Sequence, residues 1–289
     1  MKQIAGPYLT KTNLEQFISD AFREDIGPGD YSSLSSVPEN VTSKAVLKIK
    51  DNGILAGVEL AGLIFKHIDP SLQVEYFKKD GDKVTAGEVA FQVSGKARSI
   101  LSAERLVLNC MQRMSGIATK TQEMVKLIAH TKAKLLDTRK TSPNSRIIEK
   151  WAVAIGGGTN HRFALYDMVM LKDNHIDYAG SITEALNNAV RYLNEHNLPL
   201  KIEVETRNLV EVVEALAHGK ADIIMLDNFD LEDMQTAVET IEGRLPVEAS
   251  GNVTEKTIVA IAETGVDFIS VGALTHSYKC LDLSLKAVK

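Results

Sequence analysis

Cysteine is scarce, no long apolar run occurs, and positive charge is not in surplus. Only two cysteines stand in 289 residues, Cys110 and Cys280, each among apolar neighbours. That excludes a disulfide framework or a thiolate metal centre as the organising feature, and both are expected as buried, reduced thiols. No stretch approaches the roughly 20 apolar residues that a membrane-spanning helix needs. The opening MKQIAGPYLTK lacks the apolar core of a secretory signal, so a cytoplasmic location is the expectation. Thirty-three Lys and Arg against 38 Asp and Glu leave a formal net charge of −5, without the footprint of a general nucleic-acid binder. What is plentiful is apolar content: 44% hydrophobic residues can bury a substantial core in one large domain or two.

Against this acidic background, basic residues concentrate between Leu135 and His175, where Arg139, Lys140, Arg146, Lys150, His161, Arg162, Lys172 and His175 fall. A solvated basic face would account for charge alone. Two features argue for a pocket instead. The apolar runs Ala133–Leu136 and Met168–Leu171 read as short buried strands, each followed closely by cationic groups. The cations are also interleaved with Gly156, Gly157, Gly158, Thr138, Thr141 and Asn160, which suit close backbone approach and hydrogen bonding to an anion. A multiply negative small molecule is the expected occupant.

Taken in order, the chain begins with a helix whose apolar side is Leu14, Phe17, Ile18, Ala21 and Phe22, capped by Thr12 or Asn13 and ended at Gly27-Pro28-Gly29. Ser43 to Val93 then reads as short strands with one helix near 58–68. Within it, Asp80 to Glu88 resembles the turn of a biotinyl or lipoyl carrier domain. The partner hairpin lysine is missing, so the region is taken as structural. A helix is expected over 102–114, capped by Ser102, with Leu101, Val107 or Leu108, and Met111 inward, and another over 120–130 after Gly116. Apolar runs then recur at Leu135, 168–171, 202–204, 223–226, Val247 and 268–271. Helices lie between them, at 181–196, 209–218, 231–241 and 255–264, with Ser181 and Thr254 among their caps. The fold class is therefore α/β: an N-terminal α+β sandwich domain over 1–115 and a closed or partly open β/α barrel over 116–274, with the last residues packing back on the first domain.

Polar residues follow strand after strand: Thr138-Arg139-Lys140, Lys172, Glu205, Asp227, Ser250-Gly251-Asn252 and Gly272. In such barrels the carboxyl ends of the strands converge on one mouth, where active sites lie. Glu205 and Asp227 offer oxygen-only ligands suited to Mg²⁺. The turns Ser250-Gly251-Asn252 and Ser270-Val271-Gly272, small and rich in backbone N–H before helices, suit a phosphate.

The stretches AERLVLNCMQRMSGIAT, DTRKTSPNSR, EKWAV, GGGTNHR, LKDNH, IEVE, LDNF, EASGN and ISVGALTHS, in this order, resemble the quinolinate phosphoribosyltransferase family over nearly the whole chain. The resemblance implies transfer of phosphoribosyl from phosphoribosyl pyrophosphate to quinolinate with loss of CO₂, in de novo NAD biosynthesis, without an organic cofactor. It implies a homodimer in which Arg105 reaches the partner's site. Arg139, His161, Arg162 and Lys172, with Thr138, would then face the substrate carboxylates, and Lys140 the pyrophosphate. Glu205 and Asp227 would face the ribose and metal, and Ser250 to Asn252 with Ser270 to Gly272 the 5′-phosphate. Two departures occur: Pro143-Asn144-Ser145-Arg146 replaces the common P-G-L-R, and Trp151 stands where tyrosine is usual. Asn tolerates positive φ, so the turn is expected to survive. The rivals are a non-decarboxylating aromatic-acid phosphoribosyltransferase, a Schiff-base aldolase using Lys172 or Lys140, and a phosphate-binding sensor.

Overall fold

Helical periodicity near the N-terminus produces α1 (Lys11–Asp25) in the computed structural model, which describes residues 7–288; residues 1–6, part of the stretch read for a secretory signal, lie outside it. Leu14, Ile18 and Phe22 form its buried stripe. The cap is Thr10, not Thr12 or Asn13: Thr10 is the residue held in extended conformation, and its hydroxyl accepts from Asn13 N at 3.2 Å. A short α2 (Tyr31–Ser36) follows, capped by Asp30.

By packing, the described chain forms two compact units. The first takes residues up to Gln122, Thr141–Gly157 and Leu274 onward; the second takes Glu123–Lys140 and Gly158–Ala273. In the first, β1 (Thr42–Ile49), β3 (Gln73–Tyr76), β5 (Val89–Lys96) and the C-terminal β12 (Leu283–Val288) make an antiparallel sheet ordered β12-β1-β5-β3. Alternation along β1 buries Ala45, Leu47 and Ile49. Leu47 sits opposite Leu285 on one side and Phe91 on the other. A ribbon of β2 (Gly53–Ile54) and β4 (Lys83–Val84) stands apart. Helix α3 (Val58–Ile68) packs Phe65 edge-on against Phe91 at 5.8 Å. The Asp80–Glu88 turn is structural: the Asp80 carboxylate accepts from Val58 N and Glu59 N at 2.8 and 3.0 Å, holding the start of α3.

The two helices expected over 102–114 and 120–130 are one, α4 (Ala97–Leu127). Gly116 does not break it, because a helix tolerates glycine where the neighbouring chain needs the space: a Cβ there would strike the backbone of Lys279 and Cys280. Ser102 is consequently interior and donates to Asp30 Oδ2 at 3.0 Å, not a cap. Leu101 faces outward at 45% exposure, while Val107, Leu108 and Met111 are buried. The expected domain boundary at 115/116 thus falls within a helix. Cys110 is buried, and burial pushes its thiol up to about 12. Cys280, expected to be buried, is exposed because Gln112 O binds the backbone of Leu281 and it is Leu281 that turns inward. Helix α5 (Arg146–Ile155) completes the first unit. Asn144 adopts φ 60°, so the departed loop keeps its turn.

In the second unit, β6 (Lys134–Leu136), β7 (Val169–Leu171), β8 (Ile202–Thr206), β9 (Ile223–Asp227), β10 (Val247–Ser250) and β11 (Phe268–Ser270) are parallel, in the order β6-β11-β10-β9-β8-β7. Helices α6 (Asp173–Ala179), α7 (Ile182–Glu195), α8 (Leu209–His218), α9 (Leu231–Ile241) and α10 (Ile258–Glu263) alternate with them, and α11 (Ala273–His276) begins at the last residue of this unit. Ser181 caps α7 as read, but α10 starts later than Thr254, which bonds to Thr257 in the turn before it. The sheet is a barrel open between β6 and β7. Thr159 pairs with β6, its N donating to Leu135 O at 2.8 Å and its O accepting from Asp137 N at 3.2 Å.

Candidate active site

Because all six strands are parallel, their carboxyl ends share one rim. Thr138, Arg139 and Lys140 follow β6, and Lys172 follows β7. Glu205 lies near the end of β8, while Asp227, Ser250 and Ser270 close β9, β10 and β11. Arg105, on α4, belongs to the first unit and is exposed.

The rim holds an acidic centre. Glu205 is buried, and its carboxylate accepts from Lys172 Nζ at 3.0 Å and from Asp173 N at 3.2 Å. Asp227 is pushed above the usual carboxylate range first by burial and then by the negative charge of Glu205; Asn228, Ser250 and Lys172 oppose this. Two oxygen-donor carboxylates side by side form a spot short of positive charge, and Lys172, paired with Glu205, supplies only part of it. Such a pair fits Mg²⁺.

Beside it, Asp227 is in register with Ser250 across the β9–β10 ladder. Gly251 at φ 98° and Asn252 at φ 50° turn the chain away. This turn does not open onto a helix as expected, since α10 begins only at Ile258. Gly272 directly precedes α11, and Val271 N is tied to Leu136 O at 2.9 Å.

The cationic side is built by the strand-gap segment. Asp137, fully buried, accepts from His161 N at 2.9 Å and from Asn160 Nδ2 at 2.6 Å, fixing the Asn-His-Arg turn. Arg162 donates through a guanidinium nitrogen to Met168 O at 3.1 Å. Burial and then the neighbouring Arg139 lower its proton affinity, while Glu203 and Asp167 support its charge. Lys140 is exposed, with its backbone N on Thr138 Oγ1 at 3.0 Å. His175, in the basic stretch, accepts from Lys172 N at 3.0 Å and serves the start of α6.

Beneath the rim lies a trio that the sequence reading did not bring together. His161 Nε2 is 3.0 Å from Glu203 Oε2 and 3.2 Å from Glu248 Oε2, with both glutamates essentially inaccessible. Both carboxylates face His161 Nε2 at ion-pair distance. Burial alone would strip a proton from His161, but Glu203 and Glu248 reverse this and carry it up to about 9. Burial, together with Glu248, pushes Glu203 up to about 7. Arg162 N donates to His161 Nδ1 at 2.7 Å, so the ring carries its hydrogen on Nε2, facing the two carboxylates. Glu203 lies two residues before Glu205 and Glu248 two before Ser250; period-2 geometry puts each pair on one strand face, one layer apart.

A parallel β/α barrel with cations and a carboxylate pair at its carboxyl-end rim defines a class: a barrel enzyme for a polyanionic substrate. Residues 30–115 match the N-terminal domain of quinolinate phosphoribosyl transferase and residues 117–286 its C-terminal domain, and the chain belongs to this family. It is 49% identical over 298 residues to a rice (Oryza sativa subsp. japonica) protein named nicotinate-nucleotide pyrophosphorylase [carboxylating], chloroplastic, covering 98% of this chain and 80% of that one. A Bacillus subtilis relative, named probable nicotinate-nucleotide pyrophosphorylase [carboxylating], is 43% identical, with 94% and 92% covered. The structure of the nicotinate-nucleotide pyrophosphorylase from Francisella tularensis superposes with a TM-score of 0.90 at 41% identity, covering all of both chains. No helix among the described residues is long and apolar enough to cross a membrane.

Proposed function

We propose that the chain transfers the phosphoribosyl group of phosphoribosyl pyrophosphate to the ring nitrogen of quinolinate and releases pyrophosphate and CO₂, giving nicotinate mononucleotide for NAD biosynthesis. The observation that carries this reading is the adjacency, along one rim, of an arginine pair and a carboxylate pair. Arg139 and Arg162, with Lys172 and Thr138, take the two carboxylates of the acceptor through forked hydrogen bonds. Arg105 of the partner subunit adds to them, which makes the active unit a homodimer. His161 has both ring nitrogens engaged inside the protein and positions Arg162 instead of contacting the acceptor.

The donor lies across the other half of the rim. Its 5′-phosphate rests on the turns 250–252 and 270–272, and its ribose lies beside Glu205 and Asp227. Their negative charge faces the anomeric carbon as it gains oxocarbenium character. Glu205 and Asp227, directly or through water, would hold Mg²⁺, which when bound supplies charge stabilisation to the pyrophosphate. Lys140 neutralises the departing oxygens. Once the N–C bond has formed, the C2 carboxylate leaves as CO₂, its bonding pair stays on C2 stabilised by the adjacent pyridinium charge, and a proton then takes that position. No organic cofactor is required. Of the two lysines a Schiff-base reading could use, Lys172 and Lys140, the first has its Nζ paired with Glu205.

The test is to incubate the protein with Mg²⁺, phosphoribosyl pyrophosphate and either quinolinate or nicotinate. Nicotinate mononucleotide formed from quinolinate alone is expected; turnover of nicotinate instead would replace the acceptor in this reading.

A further inference from the structure

Asp227 and the turn after β10 are held by one side chain that neither the charge pattern nor the strand-end series singled out. Asn228, directly after β9, takes the left-handed conformation at φ 57°. Its backbone N donates to Ser250 O at 2.9 Å, and its Nδ2 donates to Asp227 Oδ2 at 2.8 Å. Its Oδ1 accepts from Asn252 Nδ2 at 3.0 Å. A Cβ on Gly251 would be driven into this amide and would stand 3.0 Å from the Asn228 backbone N. The amide therefore spans two neighbouring loops, with its donor end on one and its acceptor end on the other.

We infer that Asn228 is a positioning residue for the phosphoribosyl donor, setting the carboxylate of Asp227 and the Ser250–Asn252 turn at a fixed separation. This rests on the proposed reading, in which Asp227 faces the ribose and the turn faces the 5′-phosphate. The polarity matters as much as the size. Asp227 has two acceptor oxygens and needs a donor, while Asn252 Nδ2 needs an acceptor; only a carboxamide offers both at this length. Aspartate would keep the bond to Asn252 and turn a second carboxylate on Asp227, and alanine would leave both partners unmet. Asparagine is also among the few residues other than glycine that occupy this backbone region readily.

The inference separates donor from acceptor. Asn228→Ala is expected to raise KM for phosphoribosyl pyrophosphate about tenfold, the scale of a lost hydrogen-bonded link, while KM for quinolinate stays within about twofold. Asn228→Gly, which keeps the positive φ without strain, should show the same split, and Asn228→Asp a larger donor effect. Circular dichroism and thermal unfolding of each variant report folding, and Asn228→Gly carries the test should Asn228→Ala fail to fold. An unchanged donor KM in Asn228→Gly would overturn the inference, as would an equal rise in both KM values. A wild-type protein inactive with quinolinate would instead overturn the underlying reading, and its donor affinity would then be measured by calorimetry.

Discussion

Arg162 illustrates how a single side chain can be legible in type and illegible in setting. An arginine in the basic, glycine-flanked Asn-His-Arg stretch reads from the sequence as an anion ligand. That it is half-buried beside Arg139, and kept charged with help from Glu203, does not. Asp137, Glu203 and Glu248 escaped for a common reason: in apolar strands a lone acid carries no local signal, and its partners arrive from distant strands. They stand within the stretches DTRKTSPNSR, IEVE and EASGN without a role there, and spacing adds that Glu203 and Glu205 lie on the same strand face. Arg162→Lys keeps the charge but loses the planar fork. It is expected to raise KM for quinolinate by about ten- to hundredfold and to leave KM for phosphoribosyl pyrophosphate nearly unchanged. Steady-state kinetics with each substrate varied in turn decides this, and an effect on the donor alone would contradict the placement of Arg162.

At the scale of elements, strands and most helices were readable because each buries one face. α3, α8 and α9 fall where the periodicity puts them, over Val58–Ile68, Leu209–His218 and Leu231–Ile241. The misread element was α4, since Gly116 is a helix breaker only by local propensity and here answers to the chain passing beside it. Caps were read less well than faces, because several oxygens compete for each helix start. Asp30 shows what a cap contributes. Its carboxylate is held below the usual range first by the Ser33 hydroxyl, then by Ser33 N and by Ser102. A folded-state value below the unfolded one means that the stabilisation is present above about pH 3.9 and is lost as pH falls through the folded-state value. Asp30→Ala should therefore cost about 1 kcal/mol near neutrality. Urea unfolding of both proteins should show the gap narrowing as pH is lowered towards about 3; a gap that widens on acidification would refute the assignment.

For the whole molecule, the sequence showed the number and alternation of strands but not where the barrel opens. Thr159 pairs with Leu136 at the β6 edge, a tertiary contact with no periodic trace. Nor does one chain's sequence reveal which surface receives Arg105. If active sites are shared, Arg105→Ala and Lys140→Ala proteins should each be nearly inactive. Mixed after reversible dissociation, they should recover about a quarter of wild-type activity, because half the dimers would carry one intact site. No recovery in mixed dimers shown to have formed would contradict sharing.

The central claim is that one site joins phosphoribosyl transfer to loss of the carboxylate beside the ring nitrogen. Quinolinate labelled with ¹³C in the C2 carboxyl, and separately in the C3 carboxyl, measures this directly, with pyrophosphate followed in parallel. The account predicts that all C2 label leaves as CO₂, one for each pyrophosphate, and that all C3 label stays in the nucleotide. Pyrophosphate release with the C2 label retained in a nucleotide product would contradict it.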